Sequence, residues 1–139
     1  MSFATIFGKR TVPMPRASAS WTYCFHGPVV EPGNLRTSVL VHSGAELSWF
    51  PRDVLESLGV ERRKIWHFRQ ADGTVLERST GMVSVYLADI WTVDEVVFGE
   101  PRDLVLLGSR SLEGLNLRID PVTKRLIDAG PAPAAIAAV

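Results

Sequence analysis

The sequence predicts an all-β, barrel-like domain carrying one or two short helices. Three observations carry that reading. Apolar β-formers recur in short runs, as in Leu35 to Val41, Met82 to Leu87 and Trp91 to Phe98, which suit strands better than helices. Turn chemistry separates the runs, with Glu31-Pro-Gly-Asn, Ala71-Asp-Gly and Asp120-Pro-Val-Thr among the clearest cases. Only the stretch from Phe50 to Gly59 has strong helical spacing.

The elements follow in order. Residues 1–18 combine prolines and basic residues with little periodicity and read as a loose arm. Trp21 to Phe25 is aromatic and β-rich, and His26-Gly-Pro is a turn. Leu35 to Val41 is a strand that runs into His42-Ser-Gly-Ala. From Phe50, the segment FPRDVLESLG reads as the best helix, with Pro51 in its first turn, Val54, Leu55 and Leu58 on one face and Gly59 at the stop. Lys64 to Arg69 and Thr74 to Arg78 flank Ala71-Asp-Gly as a hairpin. Asp103 to Gly108 is a short buried strand, and residues 111–115 can make one helical turn. Asn116 to Asp128 reads as strand, turn, strand. Residues 129–139 are Ala/Pro-rich and read as a flexible tail, so the ordered domain spans 19–128.

Composition bounds the function. The 139 residues fit one domain, and 46% hydrophobic residues are enough for a core. Lys and Arg number 15, as do Asp and Glu, which argues against a general electrostatic grip on nucleic acid or an anionic membrane. Glu61-Arg-Arg-Lys reads as a solvated loop. Cys24 is the single cysteine, so an intrachain disulfide and a multi-cysteine zinc site are excluded. No apolar run reaches the roughly 18 residues of a membrane span, nor is there a signal-peptide pattern. The cytoplasm is the expected location. The four tryptophans, Trp21, Trp49, Trp66 and Trp91, are expected chiefly in core packing, with Trp66, just before the hairpin tip, the one placed to face a cleft.

Several segments occur in a familiar order: an apolar strand into Ser43-Gly44-Ala45, a helix ending Leu58-Gly-Val, the Ala71-Asp72-Gly73 hairpin, then GMVSVYL, VVFGEP, LLGSRSLEGL and LRIDPVTKRLI. This order resembles the retropepsin-like aspartic proteases, in particular their small single-domain prokaryotic members, over residues 35–128. The resemblance implies a retropepsin-like barrel and a homodimer in which each chain supplies half of an active site. In that family the turn reads Asp-Thr-Gly-Ala or Asp-Ser-Gly-Ala. Here His42 stands where the catalytic aspartate belongs, while Ser43, Gly44 and Ala45 match. The resemblance implies that Ser43 braces the turn between chains. It makes Trp66, Ala71, Asp72 and Gly73 part of a flap over substrate, and has Leu106, Leu107 and Gly108 pack behind the turn with Ala45.

The family chemistry needs two carboxylates sharing one proton, one acting as base on a water and the other polarising the scissile carbonyl. Imidazole keeps an acid/base group that titrates near neutrality, but it lacks the planar oxygen fork and crowds a two-fold axis built for small groups. The expected protein is therefore a homodimer that has lost aspartic-protease activity and binds a peptide or protein ligand in the old cleft. The alternative is an active aspartic-type endopeptidase in which His42 serves as base. A metal held by two His42 rings would need His26 or His67 as a third ligand, and nothing in their spacing supplies it. No metal or cofactor is expected, nor a nucleic-acid or membrane partner. Asp72, Asp103 and Asp120 read as turn or edge residues, not as stand-ins for the missing carboxylate.

Overall fold

The computed structural model describes residues 2–7, 24–26, 35–87 and 90–135. Among them lie ten strands and two short helices, so the all-β expectation holds. The strands are β1 (Ser2–Phe7), β2 (Cys24–His26), β3 (Leu35–Val41), β4 (Ser48–Pro51), β5 (Lys64–Arg69), β6 (Val75–Leu87), β7 (Ile90–Gly99), β8 (Leu106–Leu107), β9 (Leu117–Asp120) and β10 (Arg125–Asp128). The helices are α1 (Arg52–Ser57) and α2 (Ser109–Gly114). The first eight strands form one sheet in the order β1-β2-β3-β8-β4-β7-β6-β5, and β9 and β10 form a separate hairpin. Because β1 also pairs with β3 and β6, the pairings from β1 through β3, β8, β4, β7 and β6 return to β1. β5 stays at the sheet edge.

Period-2 alternation builds the core. Val83, Val85 and Leu87 of β6 point inward, and Val96 and Phe98 of β7 join them with Val39, Phe50 and Leu107. Leu55 and Leu58 bring α1 onto this core, and Leu112 and Leu115 bring α2. Fully burying such side chains stabilises the fold by roughly 1.5–3 kcal/mol each. Gly59 takes φ 70 after α1, the left-handed conformation a helix stop favours.

Several boundaries differ from the sequence-based expectation. Within the arm expected at 1–18, Ser2–Phe7 forms β1; strand pairing with distant partners organises it, which local periodicity cannot reveal. Residues 8–18, Trp21 and the turn expected after His26 lie outside the described residues, as do 136–139. The helix begins later than expected, at Arg52, because Trp49 and Phe50 pair in parallel with Val97 and Phe98. Pro51 is extended (ψ 132) and precedes α1 instead of opening it.

The strands expected at 74–78 and 82–87 are one strand, Val75–Leu87. Gly81 does not break it but lets another chain segment approach: a Cβ there would stand 2.5 Å from the Glu61 carbonyl oxygen. The strand expected from Asp103 to Gly108 shrinks to Leu106–Leu107, since Asp103 closes a turn by donating its amide to the Glu100 carbonyl at 2.9 Å. Trp91 is 54% exposed, so core packing does not describe it.

Candidate functional site

The end of β3 and the whole of β8 run parallel, with Leu40 opposite Leu106 and Val41 opposite Leu107. This pairing continues into the turn, where the His42 amide donates to the Leu107 carbonyl at 3.0 Å and the Ala45 amide donates to the His42 carbonyl at 3.1 Å. The Ala45 carbonyl then accepts the Ser109 amide at 2.7 Å. The 42–45 turn is therefore tied by backbone bonds to the segment 107–109. Gly108 lies directly behind it. A Cβ at this position would stand 2.6 Å from both the carbonyl carbon and oxygen of Leu47 and 2.8 Å from the Ala45 oxygen, so only glycine fits this approach.

A buried polar chain backs the same junction. The Gly108 amide donates to Ser48 Oγ at 2.9 Å, the Ser48 and Ser111 hydroxyls lie 2.6 Å apart, and Ser111 donates to Asp94 Oδ2 at 2.6 Å. Since the Ser111 proton goes to Asp94, Ser48 donates to Ser111 and accepts from Gly108, and every proton in the chain has one place. Burial pushes the Asp94 carboxyl above the usual carboxylate range, against the Ser111 hydroxyl and the Glu95 amide, which favour its charged form. Sequence reasoning missed these three residues. Positions 48, 94 and 111 are far apart, and each is an ordinary strand or helix residue by type.

His42 itself is exposed. Its Nδ1 accepts the Gly44 amide at 3.0 Å, so the neutral ring carries its proton on Nε2. The ring lies over Gly44, where a Cβ would stand 2.6 Å from His42 Cε1. In this arrangement neutral His42 offers the cleft a hydrogen-bond donor, and its basic lone pair is occupied.

Facing the turn is the β5–β6 hairpin. Gln70 and Thr74 close it, with the Gln70 amide donating to the Thr74 carbonyl at 2.8 Å. Gly73 takes φ 88 at the tip. Asp72 Oδ1 accepts both the amide and the hydroxyl of Thr74, and the Thr74 hydroxyl chiefly holds its carboxyl below the ordinary range. The side chain of Asp72 thus shapes the tip.

Between turn and hairpin lies a cleft of about 710 Å³ lined by His42, Gly44, Ala45, Trp66, Ala71 and Leu106 among others. Ser43, Asp72, Gly73, Leu107 and Gly108 are beside or behind the cleft and do not line it. On its wall, Trp49 meets Phe68 with ring centroids 4.7 Å apart, and Trp66 stacks on Phe68 at 5.8 Å. The Lys64 ammonium and Arg110 guanidinium sit 5.2 and 5.5 Å from the Trp66 ring centroid.

The cleft's two carboxylates are both engaged. Asp103 is gripped by Arg78 Nε at 2.6 Å and Nη2 at 2.9 Å, and this contact holds its carboxyl below the usual range. Glu46 pairs with Arg110 at 2.8 Å. His67 also lines the cleft but bonds Glu77 at 2.8 Å. Among the described residues, no group of three His, Cys, Asp or Glu side chains could hold a metal ion. The basic run after α1 is paired as well, Arg62 with Glu56, Arg63 with Glu61 and Lys64 with Glu95. No helix among the described residues is long and apolar enough to cross a membrane.

No family model, curated protein or solved structure matches the chain.

Proposed function

We propose that this protein is a retropepsin-like homodimer whose cleft binds an extended peptide or protein segment without hydrolysing it by the aspartic-protease mechanism. The observation that carries the reading is the junction of the His42–Ala45 turn with Leu106–Gly108, facing the 64–78 hairpin across a cleft in which neither carboxylate is free. The turn keeps a form suited to presenting a reacting group, and the residue there is an imidazole that donates from Nε2. Asp103 and Glu46 are held by Arg78 and Arg110, so neither can act as the missing dyad without breaking an ion pair.

Two further observations support a dimer and a peptide. Leu40 and Leu104, beside the turn, are 55% and 65% exposed, an apolar surface that a second copy would cover. β5 is the sheet edge, and the consecutive residues Trp66 to Ala71 all border the cleft. The open edge of the strand therefore lies along it, as strand addition requires. The test has two parts, light scattering of the full chain and incubation with a random peptide library read by mass spectrometry. The proposal expects a dimeric mass and retained, uncleaved peptides. A monomer that retains no peptide would defeat it.

A further inference from the structure

Two guanidinium groups of the cleft have no carboxylate partner. Its two carboxylates are neutralised by Arg78 and Arg110, and His67 is engaged by Glu77. Arg69, at the end of β5, and Arg102, in the 100–103 turn, line the same cleft. Both are exposed, and among the described residues neither side chain has a hydrogen bond or ion pair. His42 also lines the cleft and carries a donor at Nε2–H. The same cleft carries the apolar wall of Trp49, Phe68 and Trp66.

We propose that the cleft selects an extended peptide alternating carboxylate and apolar side chains, with Arg69 and Arg102 gripping the carboxylates and the Trp49–Phe68–Trp66 wall taking the apolar positions. This rests on the peptide-binding reading above. An extended chain turns successive side chains to opposite sides, which fits a cleft with guanidinium groups on one part of its rim and aromatic rings on another. Guanidinium suits the role because its planar fork matches a carboxylate in two parallel hydrogen bonds. A basic ligand would meet two unpaired cations and is rejected.

The test uses the full-length chain and three acetylated, amidated octapeptides, alternating Glu and Leu, Gln and Leu, or Lys and Leu. Binding is read by anisotropy of a dye on each peptide and by tryptophan emission. The Glu/Leu peptide is expected to bind about five- to tenfold more tightly than the Gln/Leu peptide at low salt, as two partly exposed ion pairs allow, and the gap should narrow as salt rises. The double variant Arg69→Gln/Arg102→Gln, checked for fold by circular dichroism, should bring the Glu/Leu affinity down to that of Gln/Leu. Equal binding of the Glu/Leu and Gln/Leu peptides by the unmodified chain would overturn the charge selection and leave the peptide-binding reading standing. So would a double variant that keeps the preference. Failure of all three peptides to bind would overturn both.

Discussion

The Nδ1 of His42 accepts the amide of Gly44 at 3.0 Å, and that bond decides which ring nitrogen holds the proton. A base in the cleft would need a free lone pair directed at a water. The turn instead spends one lone pair on its own backbone and presents Nε2–H. In the proposed dimer, a pair of such rings would anchor a peptide carbonyl but could not reproduce a proton shared between two carboxylates.

Replacing Gly108 should destabilise the fold far more than replacing Gly44. A Cβ at 108 meets backbone atoms of Leu47 and Ala45, which cannot move independently, whereas a Cβ at 44 meets only the His42 ring. Gly108→Ala is expected to cost about 1–3 kcal/mol, in the range of overpacked cores. Gly44→Ala should displace the ring at a small fraction of that cost. Urea unfolding of the two variants checks the order, and equal losses would show that the 108 junction is looser than described.

Asp94 and Asp103 should give opposite pH dependences. Burial raises the Asp94 pKa in the folded chain, so the unfolded chain ionises first and stability falls as pH rises from the ordinary carboxylate value to the raised one. Asp94→Asn removes that fall, and the variant should gain on the parent as pH rises above the ordinary carboxylate value. The Arg78 contact lowers the Asp103 pKa, so its contribution is complete above the ordinary carboxylate value and is lost as pH drops through the folded one. Asp103→Asn is expected to cost about 1–3 kcal/mol at neutral pH, with the cost fading as pH drops through the lowered folded value. Chemical denaturation across this range measures both. Parallel profiles would remove the assignment of either carboxylate.

Leu40→Glu, which places a charge on the exposed apolar surface beside the turn, should shift the mass of the proposed dimer toward the monomer at neutral pH. Light scattering reads the effect. A mass that does not respond to Leu40→Glu would put the contact elsewhere.

Much of this site was legible in the sequence because glycines and turn residues mark it. Ser43-Gly44-Ala45 and Leu106-Leu107-Gly108 stand out as apolar strands ending at small residues, and the structure joins them. Ala71-Asp72-Gly73 marked the hairpin because φ 88 at Gly73 is a conformation few other residues adopt. What stayed hidden depends on partners distant in sequence. The strand Ser2–Phe7 exists through its pairing with β3 and β6. Thr74 to Arg78 and Met82 to Leu87 read as separate strands, yet the missing side chain of Gly81 between them makes room for the Glu61 carbonyl. The Ser48–Ser111–Asp94 chain and the meeting of Arg69 with Arg102 in one cleft join positions that share no local pattern.

The most direct test of the central claim compares the parent chain with His42→Asp on one peptide library at mildly acid pH, by mass spectrometry, with and without a pepstatin-type inhibitor. A carboxylate at position 42 keeps the Ser43-Gly44-Ala45 turn, the Leu107 and Gly108 backing and the hairpin, and two copies of it can share a proton and activate water. The expected result is no cleavage by the parent and measurable, inhibitor-sensitive cleavage by the variant. Cleavage by the parent would contradict the account and make His42 a catalytic group in its own right; a folded, dimeric variant that cleaves nothing would show that the cleft is not that of an aspartic protease lacking one group.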